Sequence, residues 1–303
     1  MLWLIVTISF YFILAIVFLG DKYLLTKAVP KPEVYTFYVG LLSALVLFLI
    51  PFIHFYVPEL NQIIISFLAG ALYFYGLFWF NKSLSKFEAS RVVPAVGAFS
   101  PIFTFLIVYF FSSETQTLSF LGIIAFLLLI SGSVLITLEK GKTINFQSLK
   151  NSLVAALLFS LSFILTKNVY KMQSFWNGFI WIKIGGLLMA VLFFLFFKEV
   201  RKEVFKKREF FPKKTFAFFA ANQSLGAVSN ILQNFAFAIA PLSYVAVIQA
   251  LQGVQFVFLL LLTVLLSFKF PNVIKEEVSR EIIAQKIVAI LLIGTGIVIL
   301  VTT

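Results

Sequence analysis

The stretch GIIAFLLLISGSVLI, Gly122–Ile136, decides the fold because it is apolar, long enough for a helix, and matched later in the chain. Its counterpart is KIVAILLIGTGIVIL, Lys286–Leu300, which mixes aliphatic and small residues in the same order. Both belong to apolar runs of about twenty residues, the length that crosses a ~30 Å hydrocarbon core. We therefore predict that each is a membrane-spanning helix and that the chain contains an internal repeat.

The composition extends this prediction to the whole chain. Of its 303 residues, 61% are hydrophobic and only 12% are charged. The apolar runs do not alternate with polar residues, which excludes a transmembrane β-barrel. The chain has no cysteine, so disulfides and cysteine metal sites are excluded. The first twenty residues lack a basic n-region and a cleavage site, and we interpret them as a retained first span.

Turn residues and charges separate the apolar runs, and the fold class predicted is an all-α integral membrane protein with ten transmembrane helices. The predicted spans are Leu2–Gly20, Val34–Pro51, Leu60–Phe80, Val92–Phe111, Leu118–Leu138, Ser152–Thr166, Phe175–Phe197, Phe216–Ala240, Leu242–Phe268 and Ile282–Val301.

Two further pairs of segments match in the same order along the two halves. LLTK ends the first span and ILTK ends the sixth, while NKSLSKFEAS follows the third span and NFAFAIAPLS follows the eighth. We assign residues 1–140 to a first five-helix repeat and residues 141–303 to a second, within one membrane domain. Five spans are an odd number, so the second repeat is predicted to be inverted. Inverted repeats are typical of secondary transporters, whose substrate site lies near the midplane between the repeats.

Amide side chains interrupt two apolar spans. In the eighth span, Asn222, Gly226, Asn230 and Asn234 share one helical face, with Gln233 beside them. In the ninth span, Gln249, Gln252 and Gln255 share a face. Amides that only join helices contribute about 0.6 kcal/mol each, whereas an unsatisfied amide costs roughly 2–7 kcal/mol. The number of amides favours the lining of a substrate cavity, and helix packing is the alternative.

Lys183, in FIWIKIGG, is the clear charge deep within a span. An intramembrane lysine is by default a functional residue, here one that attracts a substrate carboxylate or phosphate. The alternative is that its side chain reaches towards the membrane interface near Trp176 and Trp181.

Two long segments carry a resemblance to a known family. They are SLSKFEASRVVPAVGAFSPIFTFLIVYFFSSE, Ser83–Glu114, and FAIAPLSYVAVIQALQGVQFVFLLLLTVLLS, Phe237–Ser267. Each contains a short connector, a helix rich in small residues and a mid-helix break, Ser-Pro in the first and Gly-Val in the second. With ten spans in two halves, this pattern resembles the EamA-like group of the drug/metabolite transporter superfamily. The resemblance implies that spans 3, 4, 8 and 9 line a central cavity.

The repeat places three first-half residues opposite these amides. Asn81 matches Asn234, Tyr73 lies two turns before Asn81 on the same face, and Phe99 matches Gln252. The predicted substrate site therefore comprises ten residues: Asn230, Gln233, Asn234, Gln249, Gln252, Gln255, Lys183, Tyr73, Asn81 and Phe99.

The function expected is transport of a small polar metabolite (amino-acid-like, sugar-like or anionic) by alternating access. An enzyme acting on lipid-linked substrates and a non-transporting scaffold are the alternatives. The predicted spans contain no paired carboxylates, no histidine cluster and no phosphate-binding loop, so we expect no catalytic residues, no metal and no cofactor. The expected partners are the solute and membrane lipids, with no nucleic acid, and a homodimer is compatible with this interpretation.

The net charge of +12 lies mainly in loops on one side. Of the 24 lysines and arginines, 21 fall in or beside the first, third, fifth, seventh and ninth loops between the predicted spans. The exceptions are Lys167, Lys171 and Lys183. Short basic loops stay in the cytoplasm, which predicts that both termini lie outside. The family resemblance implies instead that both termini are cytoplasmic. The localisation expected is the plasma membrane of a prokaryote.

Overall fold

The computed structural model describes residues 1–27, 31–85, 89–111, 119–137, 146–205, 213–269 and 280–302. Every regular element in these ranges is helical, as predicted. The α-helices are α1 (Leu2–Lys27), α2 (Pro32–Leu42), α3 (Leu60–Leu84), α4 (Ala89–Phe111), α5 (Phe120–Thr137), α6 (Phe146–Met172), α7 (Phe175–Phe196), α8 (Lys198–Val204), α9 (Lys213–Ile239), α10 (Tyr244–Ala250), α11 (Gln252–Lys269) and α12 (Arg280–Thr302).

Five segments of the described chain are long and apolar enough to cross a membrane. They are Leu2–Gly20, Pro32–Phe52, Leu60–Leu84, Leu149–Met172 and Phe175–Phe196. Four shorter apolar helical segments lie at Ala95–Phe111, Phe120–Leu135, Tyr244–Leu259 and Ala284–Leu300, the third of which covers α10 and the first half of α11. The prediction of a helical protein with helices able to cross a membrane is thus confirmed. α9, which covers most of the predicted eighth span, is in neither set because amides interrupt its apolar residues.

Several predicted spans differ from the helices that form. The sixth span was predicted as Ser152–Thr166, but α6 continues to Met172. In the second span, α2 gives way to a 3-10 helix at Ser43–Phe52, where hydrogen bonds join residues three apart. The basic segment after α7 contains the short helix α8, which was predicted as loop. Leu118 and Leu138, the predicted ends of the fifth span, lie outside the described residues.

The predicted ninth span forms two helices, and the break between them lies in the core. α10 ends at Ala250 and α11 begins at Gln252, so Leu251 separates them. Val254 N donates to Leu251 O at 2.9 Å, a bond between residues three apart that tightens the turn. Every residue from Val245 to Leu251 is buried, within a cluster that also contains Phe10, Tyr11 and Phe237.

The segments Gly122–Ile136 and Lys286–Leu300 pack against each other in a reciprocal way. A methyl group at Gly132 of α5 would lie 2.7 Å from Ile293 Cγ1 and 2.9 Å from the Ala289 carbonyl oxygen of α12. A methyl group at Gly296 of α12 would lie 3.0 Å from Leu129 Cγ and 3.1 Å from the Ala125 carbonyl oxygen of α5. One register offset relates all three pairs: Gly132 to Gly296, Ala125 to Ala289 and Leu129 to Ile293.

Other helices of the two halves also pack in equivalent pairs, with one difference. α3 packs along α6 and α9 packs along α1, while α4 also contacts α6 and α11 also contacts α1. α3 packs closely on α7 as well, with Gly70 against Ile182 O and Gly185 against Phe67. Within the described residues, α9 makes no comparable contact with α2. The packing of the two halves is therefore similar but not identical.

Candidate substrate site

Three helices bring four polar side chains into one hydrogen-bonded chain. Lys183 Nζ, from α7, donates to Asn230 Oδ1 of α9 at 2.6 Å. One turn along α9, Asn234 Nδ2 donates to Asn230 O at 2.8 Å and to Asn230 Oδ1 at 3.3 Å. Tyr170 OH, from α6, donates to Asn234 Oδ1 at 2.8 Å. We refer to Lys183, Asn230, Asn234 and Tyr170 as the polar chain.

Two aromatic rings accompany the ammonium group of Lys183. Its Nζ lies 5.2 Å from the centroid of Phe179, one turn earlier on α7, and 5.8 Å from the centroid of Tyr73 on α3. Tyr73 packs in turn on Phe159 and Phe163 of α6, with ring centroids 5.5 and 6.2 Å away. The lysine therefore lies between an amide and two π-faces.

This neutral shell is sufficient to hold a charged lysine among apolar helices. A lysine at mid-membrane costs roughly 2.5–3.5 kcal/mol on insertion scales. A hydrogen bond to a charged group contributes about 1.5–3 kcal/mol, and a desolvated cation–π contact about 2 kcal/mol. No Asp or Glu occurs in the sequences of α3, α6, α7 or α9. Those four helices thus stabilise Lys183 without placing a carboxylate beside it.

The amides of α9 divide between two faces. Asn222 Nδ2 donates to Val17 O at 3.4 Å and Ser229 Oγ donates to Phe10 O at 3.0 Å, so both join α9 to α1. Asn230 and Asn234 point instead to α7 and α6. At 3.6 residues per turn, positions eight apart drift by about 80°, which separates Asn222 from Asn230. Packing therefore explains Asn222, whereas Asn230 belongs to the polar chain.

The break between α10 and α11 frees backbone carbonyl groups, and hydroxyl groups from α1 and α5 lie within hydrogen-bond distance of them. Tyr11 OH, from α1, donates to Ile248 O at 2.9 Å and to Gln249 O at 3.4 Å. Ser133 Oγ, from α5, donates to Leu129 O of its own helix at 2.7 Å and also lies 3.3 Å from Ala250 O. A broken helix is tolerated at membrane depth only where such partners, or water, replace the missing helical bonds.

The three glutamines of this span have different surroundings. Gln249 Nε2 donates to Thr104 Oγ1 of α4 at 2.6 Å, while its buried Oε1 has no partner in the described part of the chain. Gln252 lies beside Gly97 of α4, where a methyl group would be 3.0 Å from Gln252 Oε1. Gln255 is 3% exposed, and its Oε1 likewise lacks a partner among the described residues.

The remaining predicted site residues lie apart from the polar chain in their contacts. Asn81 Nδ2 donates to Thr36 Oγ1 of α2 at 3.0 Å, and both side chains are buried. Phe99 stacks on Phe103, at 6.1 Å between centroids, and packs against α6. Gln233 is half-buried.

The structure therefore brings together four predicted residues: Lys183, Asn230, Asn234 and Tyr73. It adds Tyr170 and Phe179, which the sequence reasoning missed. Tyr170 lies beyond the predicted end of the sixth span, so a longer span would have revealed it. Phe179 is one turn before Lys183, which is the spacing that places two side chains on one helical face.

Comparisons with known proteins extend the description of the fold only. No family model matches the sequence, and no curated protein matches it. One solved structure, described as "Crystal structure of protein", has a similar fold, with a TM-score of 0.65 and 14% sequence identity. The similarity covers 98% of this chain and 94% of that chain. At this identity the similarity supports the arrangement of the helices and indicates no activity.

Proposed function

We propose that this protein is a secondary transporter that moves a small polar metabolite across a membrane by alternating access. The substrate site lies between two inverted five-helix repeats, near the bilayer midplane. The observation that carries the proposal is the polar chain, in which a lysine and two asparagines from α7 and α9 meet inside an apolar helical bundle. Polar and ionisable residues inside membrane-spanning helices are rare and by default indicate a functional site.

The broken ninth span supports the same proposal. Transporters bind solutes where a helix is interrupted, since the interruption supplies backbone dipoles and unpaired polar groups. Here Leu251 marks the interruption, and the carbonyl oxygens of Gln249 and Gln255 side chains are buried without described partners. Water or solute would supply the missing donors.

The reciprocal packing of α5 and α12 supports the ten-span, two-repeat arrangement. Gly132 of the first half lies against the carbonyl oxygen of Ala289, and Gly296 of the second half lies against that of the matching Ala125. A pseudo-twofold axis between the halves produces this relationship, and such an axis is the basis of alternating access. We also propose, from the sequence resemblance, an EamA-like transporter of a prokaryotic plasma membrane.

The experiment is a ligand screen followed by a flux measurement. The purified protein is screened for thermal stabilisation across a library of metabolites, and the compounds that stabilise it are tested for uptake into proteoliposomes. Asn230→Ala is expected to abolish both responses. Ser229→Ala is the matched control, because the adjacent residue loses one hydrogen bond to α1 without affecting the polar chain.

The two variants separate a substrate site from helix packing. If both variants lower the melting temperature and both retain binding and uptake, the polar chain is only structural and the proposal fails. A non-transporting scaffold would also give no uptake of any stabilising compound by the wild-type protein.

A further inference from the structure

We infer that the polar chain binds the anionic group, a carboxylate or a phosphate, of a water-soluble substrate, which pairs with Lys183 Nζ. The inference rests on the proposed transport function and narrows its substrate class. It excludes neutral sugars and cations as the main substrates.

The charge of the site is the first argument. Lys183 supplies a positive charge, and the atoms around its Nζ are the amide oxygen of Asn230 and the rings of Tyr73 and Phe179. Each of these groups is uncharged. The helices that contribute them, together with α6, contain no Asp or Glu along their sequences. Among the described groups that contact Nζ, none therefore neutralises the charge of Lys183.

The geometry of Asn230 is the second argument. Its Oδ1 accepts from Lys183 Nζ at 2.6 Å and faces Asn234 Nδ2 at 3.3 Å. Two donors thus converge on one neutral oxygen. A carboxylate or phosphate oxygen accepts such donors more strongly than an amide does, because the hydrogen bonds are then assisted by charge. Asn230 occupies the position that an anionic oxygen would take beside the lysine.

The aromatic rings are the third argument. Tyr73 and Phe179 attract the ammonium through their π-faces, but they cannot neutralise its charge. They also leave no hydrogen-bond acceptor on those two sides of Nζ. An entering anion meets a lysine whose charge is held in place and not cancelled.

The same anionic chemistry could come from a lipid phosphate, so the test includes both sources. Thermal stabilisation is measured in detergent with two matched soluble pairs, gluconate with glucose and glucose 6-phosphate with glucose, and with inorganic phosphate alone. Phosphatidylglycerol in mixed micelles is the lipid arm. Stabilisation by the lipid alone, with none by a soluble anion, would overturn the assignment of a soluble substrate.

The decisive variant is Asn230→Asp, which builds the missing carboxylate into the protein. The new aspartate would pair with Lys183 and compete with the substrate for it. We expect Asn230→Asp to keep or raise the melting temperature without ligand, and to weaken binding of soluble anions about tenfold or more. Gln223→Glu is the matched control, since it adds a negative charge to α9 at a half-buried position that is not part of the polar chain.

Variants of the lysine complete the test. Lys183→Arg keeps the charge and is expected to retain preference for anions, whereas Lys183→Gln is expected to lose it. Lys171→Gln, which removes an exposed lysine at the end of α6, controls for the change in net charge.

Three outcomes separate the anionic substrate class from the transport proposal on which it rests. Binding of anions that survives in Gln223→Glu and Lys171→Gln but not in Asn230→Asp or Lys183→Gln supports the inference. Binding and uptake of neutral compounds that are unchanged in Lys183→Gln overturn the anionic class and leave the transport proposal intact. If no compound of either class binds or crosses with the wild-type protein, the transport proposal fails and the inference fails with it.

Discussion

Gly132 and Gly296 occupy equivalent positions in two crossing helices, each against the backbone of the other half. Gly132 lies against the carbonyl oxygen of Ala289, and Gly296 lies against that of Ala125. A carbonyl group cannot rotate away as a flexible side chain can, so a methyl group at Gly132 would force a shift and one at Gly296 would crowd its neighbours. Two unrelated apolar helices would have no reason to repeat this arrangement in the same register.

Gly132→Ala and Gly296→Ala are therefore both expected to destabilise the protein. Overpacking of this kind costs about 1–3 kcal/mol, and the shorter distances at Gly132 predict the larger loss there. Gly294→Ala is the matched control on α12, because a methyl group at Gly294 would have no atom within 4 Å. Thermal unfolding in detergent measures all three. A loss of stability in Gly294→Ala equal to that in Gly132→Ala would show that close packing is not the cause.

Tyr11 is expected to stabilise the break in the ninth span. Tyr11→Phe removes the hydroxyl that donates to Ile248 O and Gln249 O but preserves the ring that packs in the core. Leaving a buried carbonyl unsatisfied costs about 1–3 kcal/mol. The melting temperature should fall accordingly, whereas Tyr109→Phe, at a tyrosine that is 62% exposed, should leave it unchanged. Equal effects of the two substitutions would contradict the role of Tyr11.

The sequence identified the features that depend on composition and spacing. The helical class followed from long apolar runs, and Lys183, Asn230 and Asn234 were found because a polar residue in such a run is unusual. The association of Tyr73 with this group came from the repeat. The apolar runs and the polar residues within them are recognised in a single segment, and the repeat is recognised from a constant spacing between two segments. None of these signals requires knowledge of which helices are in contact.

The sequence could not separate amides that pack from amides that form the polar chain. Asn222 and Asn230 look alike in the pattern, but the drift of an α-helix turns them to different neighbours, α1 and α7. Asn81 was paired with Asn234 by the repeat, yet Thr36 of α2 is its partner. The choice between neighbours depends on helix crossing, and the periodicity of one helix carries no information about it.

The proposed transport cycle predicts that the contacts between α3 and the α6–α7 connection open. Gln173 Nε2 donates to Ser66 Oγ at 3.2 Å, and Asn177 links Gln173 to the backbone of Tyr56. Since the chain has no cysteine, Ser66→Cys with Gln173→Cys allows selective cross-linking by a short, reducible bifunctional reagent. Cross-linking should stop uptake of a transported compound, and reduction should restore it.

A monofunctional thiol reagent on the same double variant is the control for this cross-link. It modifies both cysteines without joining them, so uptake should persist. Uptake that continues at full rate in the cross-linked protein would mean that this contact stays closed throughout the cycle. In that case the moving elements must be sought elsewhere, for example between α2 and α9, which do not pack as α3 and α7 do.

The basic loops and the family resemblance predict opposite orientations of this protein in the membrane. Lysines and arginines are concentrated in the loops that would share one side, with eight between residues 198 and 214 alone. Short loops with this excess remain in the cytoplasm, so both termini are expected outside. An alkaline phosphatase fused after Thr303 in a bacterial host should be active, and a fluorescent protein fused after residue 142 should fluoresce. The opposite pair of signals would favour the orientation implied by the family resemblance, and the basic loops would then face outward against the usual rule.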